Sequence, residues 1–374
     1  MLRALLFALL CSKLLANAAQ FPVADAAAFA TAVRKAAPGD DILMQSGEWR
    51  DADLLLRGEG TLEKPITLRA AKPGAVKLTG RSRLRIAGRH LVIEGLHFHD
   101  VSTSADAVIS FREDSKKEAS HCRLRECAIT QSPDFKIARE QKWVALYGTG
   151  NRVERCHFEG KTSRGTLLVV WLPSRPGEPP RHRIDGNYFG PRPRLGRNEG
   201  EILRIGDSDT SMQDAGCLVE GNLFHRCDGE AECISNKSCA NTYRANTFLE
   251  CQGTLTLRHG NRCIVEANFF DGNHRKETGG IRVIGEDHRV LGNHLTALEG
   301  DGARGAICLM NGIEHSPPNG YFQVKRALIR DNTLLDCQHS IVIGFADSDV
   351  KATLPPIDCE FTGNHVSAHG RQLI

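Results

Sequence analysis

Beyond residue 19 this 374-residue chain has no apolar run long enough to cross a bilayer, which excludes a helical membrane span from that part. It has no CxxC pair, although it carries 13 cysteines, and so lacks the ligand spacing of a structural zinc site. Its formal net charge is only +3, so nothing in the overall balance draws it to nucleic acid. Any anionic partner must be met by a local basic cluster. Helical periodicity is missing from runs such as EILRIGDS, TLTLRHGN, GGIRVIGE, AICLMNG and IVIGF, which excludes a helical bundle.

Residues 1–19 have the features of a secretory signal: Arg3, the mostly apolar ALLFALLCSKLLA, and small residues for cleavage near Ala18 or Ala19. The expectation is a secreted or periplasmic protein made of residues 20–374. Length alone allows two domains in that part.

A six-residue phrase recurs along it and argues for one. It reads IEGLHF (93–98), LRECAI (124–129), VERCHF (153–158), IDGNYF (184–189), VEGNLF (219–224), YRANTF (243–248), VEANFF (265–270), VLGNHL (290–295), IRDNTL (329–334) and FTGNHV (361–366). Apolar residues hold the first and sixth positions, and Asn holds the fourth from residue 187 onward. Repetition of this kind, with short β-rich runs between phrases, predicts an all-β solenoid: a right-handed parallel β-helix in which equivalent side chains stack into ladders. An inward Asn at each tight turn can satisfy backbone groups along the stack. Residues 25–40, DAAAFATAVRKAAPGD, have apolar positions at helical spacing and end at Pro-Gly, as expected of a helix that caps the open end. Irregular intervals mark loops inserted at corners, among them WLPSRPGEPPRHR and NGIEHSPPNGYF. Cysteines fall into columns, with Cys227, Cys251 and Cys337 each five residues after an Asn of the phrase. Stacked thiols and disulfides between coils both fit that pattern.

Chemistry concentrates in GEAECISNKS (229–238). Residues two apart on a strand share a face, so Glu230 and Glu232 converge, and a hard cation with oxygen ligands would relieve their repulsion. Lys237 has the opposite parity and needs a bend, placed at Ser235-Asn236-Lys237, to join them. Arg258 follows 21 residues later and should stack beside the lysine, while Asn198 brings an oxygen donor from the coil before. A glycoside hydrolase could use the two acids, but it would leave Lys237 and Arg258 without a role. A purely adhesive solenoid would need none of these residues.

The run NLFHRCDGEAECISNKSCANTYRANTFLECQGTLTLRHGNRCIVEANFFDG, followed by TGGIRVIG, resembles the core of polysaccharide lyase family 6, which comprises the alginate lyases and chondroitinase B. The ordered motifs span residues 198 to about 335. The resemblance implies β-elimination in an anionic, uronate-containing polysaccharide, with Lys237 as base and Arg258 as acid. It implies Ca²⁺ held by Glu230, Glu232 and Asn198, with Glu199 and Glu201 close enough to compete for the third place. It implies substrate contacts from His259 and Arg282, although strand parity puts His259 on the face opposite Arg258. TGGIRVIG, MNG and SPPNGYFQV look more like the alginate-cleaving members than like a dermatan-sulfate lyase. A lysine accepts a proton only as the free amine, a form that neighbouring cations favour, so activity is expected to rise toward alkaline pH. Monomer and homodimer are equally compatible with the sequence.

Overall fold

The computed structural model describes residues 18–367 apart from 176, 197 and 348–350. The secretory-signal reading falls almost wholly outside the described residues.

Three long sheets run the length of the molecule, of 13, 12 and 12 strands, and every pairing between their strands is parallel. The chain visits the three sheets in turn, so each circuit is one coil of a parallel β-helix. The interior is a continuous apolar core from Val23 to Cys337. The expected helix is present at Ala26–Lys35. Asp25 caps it by accepting from the backbone N–H of Ala28, and Phe29, Ala32 and Val33 are buried against the first coil.

The recurring phrase is the corner between the first two sheets. Its third residue has left-handed backbone in all ten copies, from Gly95 (φ 73°) through Ala245 (φ 51°) and Asp331 (φ 57°) to Gly363 (φ 65°). The chain turns there, and the fourth residue points inward. Asn187, Asn222, Asn246, Asn268, Asn293, Asn332 and Asn364 form one ladder, each side-chain amide donating to the next carboxamide oxygen at 2.9–3.0 Å. That same oxygen also accepts the backbone N–H of the Asn before it. Each rung thereby pairs polar groups that the core would otherwise strand, each costing about 1–3 kcal/mol. The sixth residue builds a parallel stack, Phe158, Phe189, Phe224, Phe248 and Phe270, with successive ring centroids 5.3, 4.8, 4.7 and 4.3 Å apart.

A second ladder lies at another corner. Backbone N–H groups of Asn151 and Cys263 donate to the Nδ1 atoms of His182 and His288, each at 3.1 Å. The cysteine columns are packing: the described cysteines form no disulfide, and eleven of them are buried. Among the described residues, no helix is long and apolar enough to cross a membrane.

Candidate active site

The site lies on the outer face of the third sheet, where the repetition fails. Strand Glu232–Lys237 pairs with Thr254–His259, but the register slips twice. Glu232 faces Thr254 and Ile234 faces Leu255, so Cys233 has no opposite number. Such a bulge lets two successive residues, Cys233 and Ile234, point into the core at 2% and 0% exposure. Alternation then resumes out of phase, and Glu232, Ser235 and Lys237 share the outer face. The bend expected at Ser235-Asn236-Lys237 is thus at Cys233. Asn236 points inward instead, its amide donating to the carbonyls of Ser238 and His259 at 2.9 and 2.8 Å. At the second slip, Asn236 faces Leu257 and Lys237 faces His259, which leaves Arg258 as the extra residue.

A cleft of about 790 Å³ opens over this face. Asn198, Glu230, Glu232, Lys237, Arg258 and Arg282 all line it. His259 does not. It is 2% exposed, with its Nε2 3.4 Å from the Ser208 hydroxyl, and burial pushes its pKa down to about 3. The expectation of a substrate-facing His259 is therefore corrected to a neutral residue packed against Arg258, its Nδ1 3.5 Å from Arg258 Nη1, and covered by Ser208 and the edge-on Phe322 ring.

Glu230 and the loop Asn198–Glu201 meet through two glycines. A Cβ on Gly200 would lie 2.4 Å from the Gly229 backbone, so only glycine permits the approach. Arg192, 1% exposed, anchors the loop from below, donating to the carbonyls of Glu201 at 2.6 Å and Glu199 at 3.0 Å. Glu201 is thereby brought into the cleft wall at 5% exposure. Burial above all, then the charges of Glu201 and Glu232, push the Glu230 carboxyl up to about 8. Three acids crowd one place, with no lysine or arginine within ion-pairing distance of Glu230 among the described residues. This donor set suits a hard cation. Those able to hold one are Glu230, Glu232 and Glu201, with the Asn198 carboxamide nearby. They are not a closed cage as they stand, since no group of three His, Cys, Asp or Glu among the described residues is arranged around a common centre.

Cations line the other wall. Arg258 Nε and Arg282 Nη2 approach Glu232 Oε1 at 3.8 and 3.5 Å. Burial holds the Arg258 guanidinium below its ordinary pKa against the pull of Glu232. The guanidinium donates to the carbonyls of Gly320 at 2.6 Å and Asn319 at 3.1 Å and lies 4.2 Å from the centre of the Tyr321 ring. The Tyr321 hydroxyl in turn bridges Arg282 at 3.4 Å and Asp347 at 3.3 Å. These groups come from the inserted loop and the coil beyond it. Sequence reading marked that loop as an insertion, but nothing in its composition showed that it folds back over Arg258.

A family model described as Chondroitinase B matches residues 23–363. Among solved structures, the alginate lyase AlyGC of polysaccharide lyase family 6 superposes with a TM-score of 0.87 at 42% identity. The match covers 94% of this chain and 50% of that one, so the chain spans about half the length of AlyGC. A mannuronic-acid-specific family 6 lyase from human gut microbiota gives a TM-score of 0.83 at 29% identity, over 93% of this chain and 82% of that one. The family 6 lyase Pedsa3628 from Pseudopedobacter saltans gives 0.81 at 32% identity, over 92% and 83%. No curated protein matches the sequence. The repeated corner, the site on the third sheet and these similarities agree, and the chain belongs to the chondroitinase B family, polysaccharide lyase family 6.

Proposed function

We propose that the protein cleaves alginate by β-elimination, with Lys237 as base, Arg258 as acid and a calcium ion held by Glu230, Glu232 and either Asn198 or Glu201. The observation that carries this reading is the cleft itself, in which an amine, two guanidiniums and a crowded acid group from successive coils face one space. Alginate is favoured because AlyGC is described as an alginate lyase and the gut enzyme as mannuronic-acid-specific.

In this reading Lys237, as the free amine, takes the proton from C5 of a uronate, next to its carboxylate. Arg258 faces the leaving O4 and supplies a proton as the C4–O bond breaks. Asn319, Gly320 and Tyr321 fix the plane of its guanidinium, so the donor is oriented before substrate arrives. Arg282 adds positive charge where the substrate carboxylate gains electron density. Bound calcium would neutralise that carboxylate and make the C5 proton more acidic. Glu230 and Glu232 transfer no proton; they hold the cation. Export through residues 1–19 fits a polymer too large to enter a cell.

The test is incubation of the purified protein with alginate and, separately, with dermatan sulfate, following ultraviolet absorbance with and without chelator. Alginate should give a rising absorbance from the new conjugated double bond, lost on chelation and restored by calcium. Reducing ends without absorbance would identify a hydrolase instead. Absorbance from dermatan sulfate alone would favour the substrate in the family model's description.

A further inference from the structure

A second cavity, of about 770 Å³, lies N-terminal to the cleft and includes Tyr147 and Trp171 in its wall. The two rings stack with centroids 6.4 Å apart and planes within 13°. Tyr147 follows strand Lys142–Leu146 and Trp171 follows Leu168–Val170, with Leu146 in register with Val170. Val170 in turn faces Ile205, and Gly206 faces Lys237. Tyr147, Trp171, Gly206 and Lys237 therefore hold one position on four consecutive coils. At about 4.8 Å per coil, Trp171 stands roughly 10 Å from Lys237 along the stack, a distance that a short run of linked pyranoses can bridge. Gly206 leaves that interval without a side chain. Its φ is +84°, and a Cβ there would meet the Lys237 carbonyl oxygen at 2.3 Å.

Each ring carries a guanidinium. Arg112 Cζ lies 3.7 Å from the Tyr147 ring centre, and Arg204 Cζ lies 5.0 Å from that of Trp171. Arg204 also lines the first cleft, so this stack joins the two cavities. Many surface arginines are matched to acids, as Arg152 is to Asp185 and Arg326 to Asp287. Neither Arg112 nor Arg204 has a carboxylate within ion-pairing distance among the described residues. Arg204 Nε is buried with no hydrogen-bond partner among the described residues. Lys142 differs: its amine is taken up by Asp106 and Glu140 at 2.7 and 2.8 Å. A guanidinium stacked on an aromatic ring keeps its in-plane N–H donors free and pre-oriented for a carboxylate.

We infer that Arg204 and Arg112, held on the Trp171–Tyr147 stack, form an accessory subsite for the carboxylates of uronate residues remote from the bond being cut. The polyanion then runs along the stack axis from Lys237 toward the N-terminal coils. This rests on the first cleft being the lyase site, and it makes long chains better ligands than short ones.

The test reads binding without turnover. Trp49 and Trp143 are buried at 6% and 2% exposure, whereas Trp171 is partly exposed, so quenching of tryptophan emission reports the subsite. Lys237→Ala protein is titrated with hexauronate, diuronate and a neutral hexasaccharide. Hexauronate should quench the emission, and adding Arg204→Ala should weaken its binding at least about tenfold, or 1.4 kcal/mol, with a much smaller change for diuronate. Arg204→Lys should restore only part, because a lysine neither stacks nor forks. If Arg204→Ala lowers the melting temperature, Arg112→Ala provides the same comparison. Equal weakening for both lengths, unchanged hexauronate binding, or equal binding of the neutral hexasaccharide would overturn the subsite. Carboxylate-dependent binding by a wild-type protein that cleaves no uronate polymer would instead sink the lyase reading alone.

Discussion

Along the corner between the first two sheets, from Asn187 onward, every coil repeats the one before it, with a left-handed third residue, an inward Asn and an unbroken register. Along the third sheet the strands slip at Cys233, at Arg258 and again between Leu309 and Met310. The corner answers one question, where buried backbone groups find partners, and the same answer serves each of those coils. The third sheet must bring unlike side chains to one point, and strict alternation would send Lys237 away from Glu232. At Cys233 and Arg258 the departure from the repeat coincides with the cleft.

That contrast can be broken by substitution. The largest effect should come from Lys237→Ala, with lyase turnover falling by about 10³-fold or more while the melting temperature stays at the wild-type value. A Lys237→Ala enzyme with ordinary turnover would remove the base. Chelation should come next. It should abolish activity and also lower the melting temperature, because the proposed calcium would bind the native cleft and not the unfolded chain. Calcium should restore both. The reverse pattern belongs to the corner. Asn246→Ala interrupts the ladder, strands the Asn222 amide and its backbone N–H, and should cost about 3 kcal/mol of stability in a denaturant titration. The kcat of the surviving folded fraction should be unchanged.

The last effect appears only in acid. Burial holds His182 and His288 at pKa values of about 3 and about 4, below the ordinary 6.5. The unfolded chain then binds more protons than the native one between those values and 6.5. The stability these two histidines contribute should be fully present above pH 6.5 and fall progressively as pH drops through that window, opposite in sign to the contribution of the raised Glu230 carboxyl. Melting temperatures from pH 7 to pH 4 would show this. His288→Asn, which keeps an acceptor for the Cys263 N–H, should flatten the slope.

The same contrast explains what could be read in advance. The apolar first and sixth positions and the fourth-position Asn are side-chain signals repeated ten and seven times, and they are enough to define the coil. The left-handed third position was not legible, because Gly, Ala, Asp, Glu and Arg all occupy it. The convergence of Glu230, Glu232, Lys237 and Arg258 was expected, but its cause was misplaced. A bulge is a property of two paired strands, and Cys233 alone carries no mark of it. Tyr321 was missed because a loop's path depends on what it packs against, which here is Arg258 itself.

The clamp on Arg258 has a consequence for biosynthesis. Lys237 and its acids are in place once the neighbouring coils have stacked, but the carbonyls of Asn319 and Gly320 emerge from the ribosome only after some sixty further residues have been made. A nascent chain halted between them would hold the base, the acids and an untethered guanidinium. On the proposed mechanism, competence for catalysis is thus withheld until the later coils have closed behind the earlier ones.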